Sequence, residues 1–457
     1  MMFLISPKFG NKKQISLFPP AGVMYISSFL NKQGIKTKII DCNADNLSVE
    51  DIIKLIKMER PSYVGLSIMT CQVYNAIQIA EKIKKINKNI IVIGGGAHIS
   101  ATKSELFSFT DGFDFLVYGE GEETTHEIIK GIEKEKIDGL IYVNKNKVCI
   151  NSPRKFIEEL DKLPFPDLSQ INLKNYFTLY FPPNQFSSIV VSRGCPFSCS
   201  FCNTPQILGK KVRRRTPVNI VEEIELNQKR FNINYVKLAD STFTVDKEYV
   251  YELCDELLKR DINIKWRCNT RVDMIDDHIL RRMKEAGCEM ISFGFESGAQ
   301  LVLDSLDKGI TLKQIEDAVR LCKKHKIRVL ADFMIGNPKE TLKEVQATLA
   351  LSQSLDLDYM QFSITSALPN TNLYNKAIKE GTLNKKRYTQ IYKSNKGSYE
   401  GCYLNHPNFS ISNKRKFIRK AHRKFYFRPR YIVKTLFMIR SFDDFKRKLS
   451  IFFRMII

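Results

Sequence analysis

The chain has 457 residues, 43% of them hydrophobic, and a formal net charge of +23. That length gives room for two or three domains with ordinary cores, and eleven cysteines, an odd number with three clustered, exclude a secreted disulfide framework and point to a reducing compartment. No run of about 18 apolar residues crosses a membrane, and the opening Met1–Pro7 lacks the charged region of a signal peptide, so a cytoplasmic protein is expected.

Residues 1–145 alternate short apolar runs with amphipathic stretches. Phe3–Ile5, Thr37–Ile40, Tyr63–Ile68, Ile90–Ile93 and Phe115–Tyr118 read as strands. Pro19-Pro20 opens a helix, and a second over 72–87 carries Val73, Ala76, Ile77, Ala80 and Ile83 on one face. The pattern predicts an α/β fold that begins with a doubly wound parallel sheet. Such sheets bind ligands beyond the carboxyl ends of their strands. Those ends carry Ser67, Thr70, Gly94, Gly95, Gly96, Gly119, Glu120 and Glu122. No G-x-G-x-x-G is present, which argues against a dinucleotide. His98 stands alone at a strand end and reads as a polar turn residue. Residues 146–187, broken by Leu163-Pro164-Phe165-Pro166, read as a connector.

From 188 to 400 the alternation returns. Strands are predicted at 188–192, 235–239, 264–268, 290–295, 328–335 and 358–364, with helices between them. Six strand–helix units predict an open partial (β/α)6 barrel with its chemistry at the strands' carboxyl ends. The first of those ends leads into Ser192–Cys202, where Cys195, Cys199 and Cys202 stand as C-x3-C-x2-C. Gly194 and Pro196 keep this stretch out of a helix. Three thiolates on one loop can hold three corners of a cubane cluster and leave one iron open. Spacing alone also permits zinc, which would need a fourth ligand, or buried thiols. Other strand ends carry Asp240 and Ser241, Arg271, Glu296 and Gly336. Cys42, Cys71, Cys149, Cys254, Cys268, Cys288, Cys322 and Cys402 show no ligand spacing and read as small apolar residues.

The cysteine loop, with Phe201 before its last cysteine, resembles the signature of radical S-adenosylmethionine (SAM) enzymes. Residues from 1 to roughly 400 are similar to the branch with an N-terminal cobalamin-binding domain, through Phe18-Pro19-Pro20, Ser67-Ile68-Met69-Thr70, Gly94-Gly95-Gly96 and Gly119-Glu120-Gly121-Glu122. The resemblance implies a 4Fe–4S cluster on Cys195, Cys199 and Cys202. It places SAM against Phe201, Asp240, Ser241, Arg271, Glu296 and Gly336. It places cobalamin against Ser67, Thr70, Gly94, Gly95, Gly96, Gly119, Glu120 and Glu122. The D-x-H-x-x-G that supplies an axial histidine in many cobalamin proteins is missing, as is common in this branch.

The implied reaction is reductive cleavage of SAM to a 5′-deoxyadenosyl radical, fed by a flavodoxin- or ferredoxin-type donor. It would drive cobalamin-dependent methylation of an unactivated carbon in a small-molecule or lipid-like substrate. A cyclase or rearrangement enzyme without methyl transfer is the first alternative, and a non-catalytic metal-bearing membrane scaffold another. An RNA methylthiotransferase would need three N-terminal cysteines, but only Cys42 and Cys71 precede residue 100. With no RNA-binding motif either, nucleic acid is not an expected partner.

Residues 401–457 read as a helical tail. Residues 411–457 hold 15 Lys and Arg against Asp443 and Asp444, interleaved with Leu436, Phe437, Ile439, Phe442, Phe445, Leu449, Phe452 and Phe453. Two readings follow: a helical cap on the barrel with a solvated basic face, or a peripheral contact with an anionic membrane.

Overall fold

The computed structural model describes residues 1–10, 16–182, 185–395 and 403–429, with 431–433, 445, 446 and 449 beyond them. The first sheet contains β1 (Met2–Ser6), β2 (Thr37–Asp41), β3 (Tyr63–Ser67), β4 (Ile91–Gly95), β5 (Phe115–Val117), β6 (Leu140–Asn144) and β7 (Lys147–Ile150), in the order β2-β1-β3-β4-β5-β6-β7. Strands β1 to β5 are parallel, with helices Ala21–Lys32, Val49–Glu59 and Val73–Ile86 as crossovers. Their near-continuous burial is what a sheet covered on both faces demands.

The expectation of an all-parallel sheet is corrected at one edge. β6 and β7 form an antiparallel hairpin that continues the sheet beyond residue 145, into the stretch read as connector. Lys145 and Asn146 turn it with φ of 46° and 62°, the two left-handed residues that a tight hairpin with matching twist requires.

The second sheet starts at β8 (Phe186–Val190). A short pair follows, β9 (Ser192–Arg193) against β10 (Arg213–Arg214), antiparallel. Then come β11 (Tyr235–Ala239), β12 (Lys265–Thr270), β13 (Cys288–Glu296), β14 (Arg328–Ile335) and β15 (Tyr359–Ile364). The sheet's six strands run β8-β11-β12-β13-β14-β15, all parallel, and β15 does not close onto β8, so the barrel is open. Alternate residues Val236, Leu238, Trp266 and Cys268 face outward into a core shared with helices Pro217–Phe231 and Lys247–Lys259. Cys254, Cys288 and Cys322 are buried in that same core, while Cys402 lies outside the described residues.

Helix Ile411–Tyr426, N-capped by Ser410, packs along β15. Ala421, Phe425 and Tyr426 are buried. The Tyr426 hydroxyl accepts from the Met360 N–H (3.2 Å) and donates to the Met360 carbonyl (2.6 Å), pairing the free edge of β15. This segment is a cap, so its apolar face is taken by protein. Leu436, Phe437, Ile439, Phe442, Phe452 and Phe453 lie outside the described residues. Among the described residues no helix is long and apolar enough to cross a membrane.

Candidate active site

The cysteine loop is shaped by its backbone. Gly194 sits at φ 109°, and a Cβ there would come within 2.1 Å of the Lys211 carbonyl oxygen, so no other residue fits. The Cys195 N–H donates to Gly209 O (3.0 Å), the Ser200 N–H to Leu306 O (2.9 Å), and Ser200 O accepts from the Leu373 N–H (2.7 Å). These ties fix the loop independently of any metal. All three thiols are free. Burial pushes the Cys195 and Cys199 thiols up, and the nearby Cys202 adds to both shifts. Lys308 and Arg271 pull Cys199 the other way.

Among the described residues no three Cys, His, Asp or Glu side chains converge as ligands of a single metal ion. Three thiols from one loop, without a fourth protein ligand, suit three corners of a cubane better than tetrahedral zinc.

Two cations flank this loop. The Arg271 guanidinium stacks 4.0 Å from the Phe197 ring centroid, lies 3.9 Å from Cys199 Sγ, and is held by both Asp273 oxygens (2.9 and 2.8 Å). Lys308 donates to Glu296 at 2.9 Å, both buried, with its ammonium 5.8 Å from the Phe201 ring. Glu296 adopts φ 62° at a bulge in β13. For an acidic residue this strained backbone is a feature of functional sites. Asp240 is raised by burial, against the Ser192 hydroxyl (2.7 Å) and Thr242 N–H (2.8 Å) that it accepts. Ser241 beside it is exposed. Gly336 does not join this group. A Cβ there would lie 2.5 Å from Lys414 Cε of the C-terminal helix, and its N–H donates to Glu340.

A cleft of about 570 Å³ separates the two sheets' carboxyl edges. Ser67, Gly95, Gly96 and Gly119 line one side, and Ser192, Asn203, Asp240 and Ser241 the other. At Gly22 and Gly119 a Cβ would meet nothing within 4 Å, so bare backbone borders open space. Val23, Ile26 and Val117 add apolar wall. A backbone floor with apolar sides fits the broad face of a corrin ring.

Two of the expected residues, Gly94 and Thr70, do not line this cleft, and the reading of His98 is corrected. Gly94 points into the core, where a Cβ would sit 2.8 Å from Leu116 Cδ2. Thr70 faces His98, with Oγ1 and Nδ1 3.2 Å apart. His98 is no turn residue: it is buried in the short helix Ala97–Thr102, and its Nε2 lies 3.0 Å from the Tyr392 hydroxyl. Both ring nitrogens are therefore occupied, which leaves none for cobalt.

Glu120 and Glu122 border the cleft but spend their carboxylates on arginines. Glu120 accepts from Arg193 (2.9 Å) and Arg213 (2.8 Å), and Glu122 from Arg193 (2.7 Å). All four are buried.

Comparison with known proteins agrees with this geometry. The Radical SAM superfamily model matches residues 189–352, and the B12 binding domain model matches residues 15–129. An uncharacterized methyltransferase of Pyrococcus horikoshii is 34% identical over 431 residues, covering 93% of this chain and 91% of that one. The chain belongs to the cobalamin-binding radical SAM enzymes. An anaerobic magnesium-protoporphyrin IX monomethyl ester cyclase of Rubrivivax gelatinosus is 29% identical over 369 residues, 78% of this chain and 66% of that one. The fold matches that of the cobalamin-dependent S-adenosylmethionine radical enzyme OxsB, solved with aqua-cobalamin and SAM. The TM-score is 0.75 at 19% identity, over 98% of this chain and 70% of that one. The cofactors of this radical SAM enzyme are thus a 4Fe–4S cluster, SAM and cobalamin.

Residues that sequence reasoning passed over complete the picture. Arg193, Arg213 and Lys308 neutralise the acids at the strand ends. Phe18, noted only as part of a motif, places its ring against Lys237 and Arg267 of the barrel. For Lys237 and Asp332 the available signal was a charge among the apolar residues of a strand.

Proposed function

We propose that this radical SAM enzyme methylates an unactivated carbon of a small-molecule or lipid-like substrate, using cobalamin. The cleft carries the reading. Strand ends of both sheets face one space of about 570 Å³, and the cysteine loop contributes Asn203 and Thr204 to its wall. When bound, the cofactors supply radical generation from SAM and a transferable methyl group. The chain's residues then bind, orient and shield. Cys195, Cys199 and Cys202 hold the cluster, with Phe197 stacked on Arg271 beside them. Asp240, held by Ser192, and the exposed Ser241 offer acceptors to an ammonium or hydroxyl. Ser67, Gly95, Gly96 and Gly119 border cobalamin by backbone and small side chains. Electrons come from an external flavodoxin- or ferredoxin-type donor.

The similarity to a methyltransferase over nearly the whole chain favours methyl transfer. Similarity to a cyclase supports the second reading, radical chemistry without methylation. Product analysis separates them. Turnover by the anaerobically reconstituted enzyme should release S-adenosylhomocysteine with methylated product. Release of 5′-deoxyadenosine and product without S-adenosylhomocysteine would establish the cyclase reading instead.

A further inference from the structure

Three charged side chains inside the barrel have no role in anything above. Lys237 on β11 and Arg267 on β12 are direct register partners, so they leave the same face of neighbouring strands. It is the concave face, because the alternate residues Val236, Leu238, Trp266 and Cys268 fill the helix-packed core. Met290, next to Arg267 on β13, packs inside with Leu330, Tyr359 and Tyr180.

Arg267 is 6% exposed, yet its Nε and Nη1 are buried with no hydrogen-bond partner among the described residues. Its guanidinium lies 4.9 Å from the Tyr180 ring centroid and 5.3 Å from that of Phe18. Lys237 Nζ lies 4.9 Å from the same Phe18 ring. Asp332 on β14 is close enough to be felt electrostatically by both cations, but among the described residues no ion pair joins it to either. Ser292, two residues along β13 from Met290, adds a buried hydroxyl with no partner among the described residues.

Nothing in the fold requires this arrangement, and two principles oppose it. Like charges directly opposite on neighbouring strands repel. A buried guanidinium without acceptors has lost its hydrogen bonds to water and made none in their place. Burial, then the neighbouring Arg267, pulls Lys237 down to about 8. The aromatic faces of Phe18 and Tyr180 hold the cations in place but do not neutralise them. An incoming oxyanion would satisfy the two cations: the planar fork of Arg267 takes two oxygens, and Lys237 adds a point charge, while Asp332, pushed up by burial to about 7, opposes an anion least when it holds its proton.

We propose that Lys237 and Arg267 form an oxyanion subsite inside the barrel, and that the substrate carries a carboxylate or phosphate that docks there. This deepens the proposed function and rests on it only in taking the chain to act on a bound substrate; that the substrate extends into the barrel interior is part of this proposal. The subsite's two cations are not the ones that flank the cysteine loop, Arg271 and Lys308, although Asp332 feels Lys308 as well as Lys237 and Arg267.

The test is thermal melting of the reconstituted full-length holoenzyme in rising sodium phosphate or sodium acetate, against sodium chloride at equal ionic strength. A saturable rise of about 2 °C or more, with at least one of the two anions, is expected. Phosphate alone would identify a phosphate group, and acetate a carboxylate. Arg267→Met and Lys237→Met should each abolish the rise. Without anion, Arg267→Met should melt no lower than wild type, because it removes an unpaired buried cation and keeps an unbranched apolar stem.

The same chloride-matched curve for both anions would overturn the proposal. So would a large fall in the melting temperature of anion-free Arg267→Met, which would mark Arg267 as structural. If that variant fails to fold, Lys237→Met, which is only partly buried, decides on the anion response alone. Cleavage of SAM by the wild-type enzyme is scored separately. Its absence would defeat the proposed function and leave the anion result standing.

Discussion

Arg193 and Glu120 meet at 2.9 Å, both buried, and their contact joins the barrel to the first sheet. Arg193 stands two residues before Cys195, and Glu120 two residues before Glu122, which takes the other arm of the same guanidinium at 2.7 Å. Arg213, on the strand paired with Arg193, adds 2.8 Å to Glu120, and the Ile157 N–H adds 2.7 Å. The cysteine loop is thus anchored to the end of the cleft wall that carries Gly119. The acids tie the two halves of the site together instead of facing solvent.

Breaking a buried pair while leaving its partner charged costs about 3–5 kcal/mol. Glu120→Gln should therefore lower stability by about that amount, since Arg193 and Arg213 would lose their shared counter-ion. Urea unfolding of the full chain measures it. A change under about 0.5 kcal/mol would mean that the junction is solvated and exerts no control.

Replacing Cys195, Cys199 and Cys202 together by Ala should abolish iron binding while leaving the fold in place. The loop is tied by the backbone bonds of Cys195 and Ser200, which alanine keeps. Iron and sulfide analysis after anaerobic reconstitution, with circular dichroism alongside, checks both halves. Four irons retained per chain would remove these cysteines from the site.

The parallel strands were legible because burial on both faces leaves a simple mark, a short apolar run closed by glycine or a polar residue, as in Tyr63–Ser67. The hairpin after Leu140 was not, since its turn is Lys145-Asn146 and not the Asn-Gly that announces such turns. Placing Glu120 and Glu122 at a strand end was within reach of the sequence. Their partners were not, because Arg193 and Arg213 lie 73 and 93 residues away from Glu120. His98 was misread for the same reason: its environment is set by Tyr392, 294 residues on. Gly336 carries a strand-end signal, but Lys414 from a distant helix occupies its open side.

His98 supplies a pH prediction. Burial alone pushes it down from 6.5 to about 3, because its ring is removed from water. A depressed folded value means that the unfolded chain binds the proton more readily. The stabilising contribution is complete above about 6.5 and is lost as pH falls toward 3. His98→Gln, which keeps polar groups for Thr70 and Tyr392, should flatten stability between pH 7 and pH 4, about the window these two values bound. Urea midpoints across that range, for wild type and variant, decide it. Parallel curves would show that His98 is not the acid-sensitive group. In the same variant the electron paramagnetic resonance of bound Co(II) cobalamin should be unchanged, because His98 Nε2 is already 3.0 Å from Tyr392.

Tyr426→Phe tests the cap on β15. The hydroxyl gives the Met360 N–H an acceptor and the Met360 carbonyl a donor, and both backbone groups lie on a strand edge with no neighbouring strand. Phenylalanine keeps the ring, which sits 4.9 Å from both Phe425 and Tyr431, and so keeps the packing. What is lost is two hydrogen bonds in a buried place, with two backbone groups left unsatisfied, at about 1–3 kcal/mol each. The site lies elsewhere, so anaerobic SAM cleavage by the variant should match wild type at a temperature where both are folded. Deleting 411–457 removes the whole cap and exposes the edge of β15, and soluble wild-type-like protein from that deletion would show that the helix is dispensable. The expected result is aggregation, because an uncovered edge strand is a template for pairing with another chain.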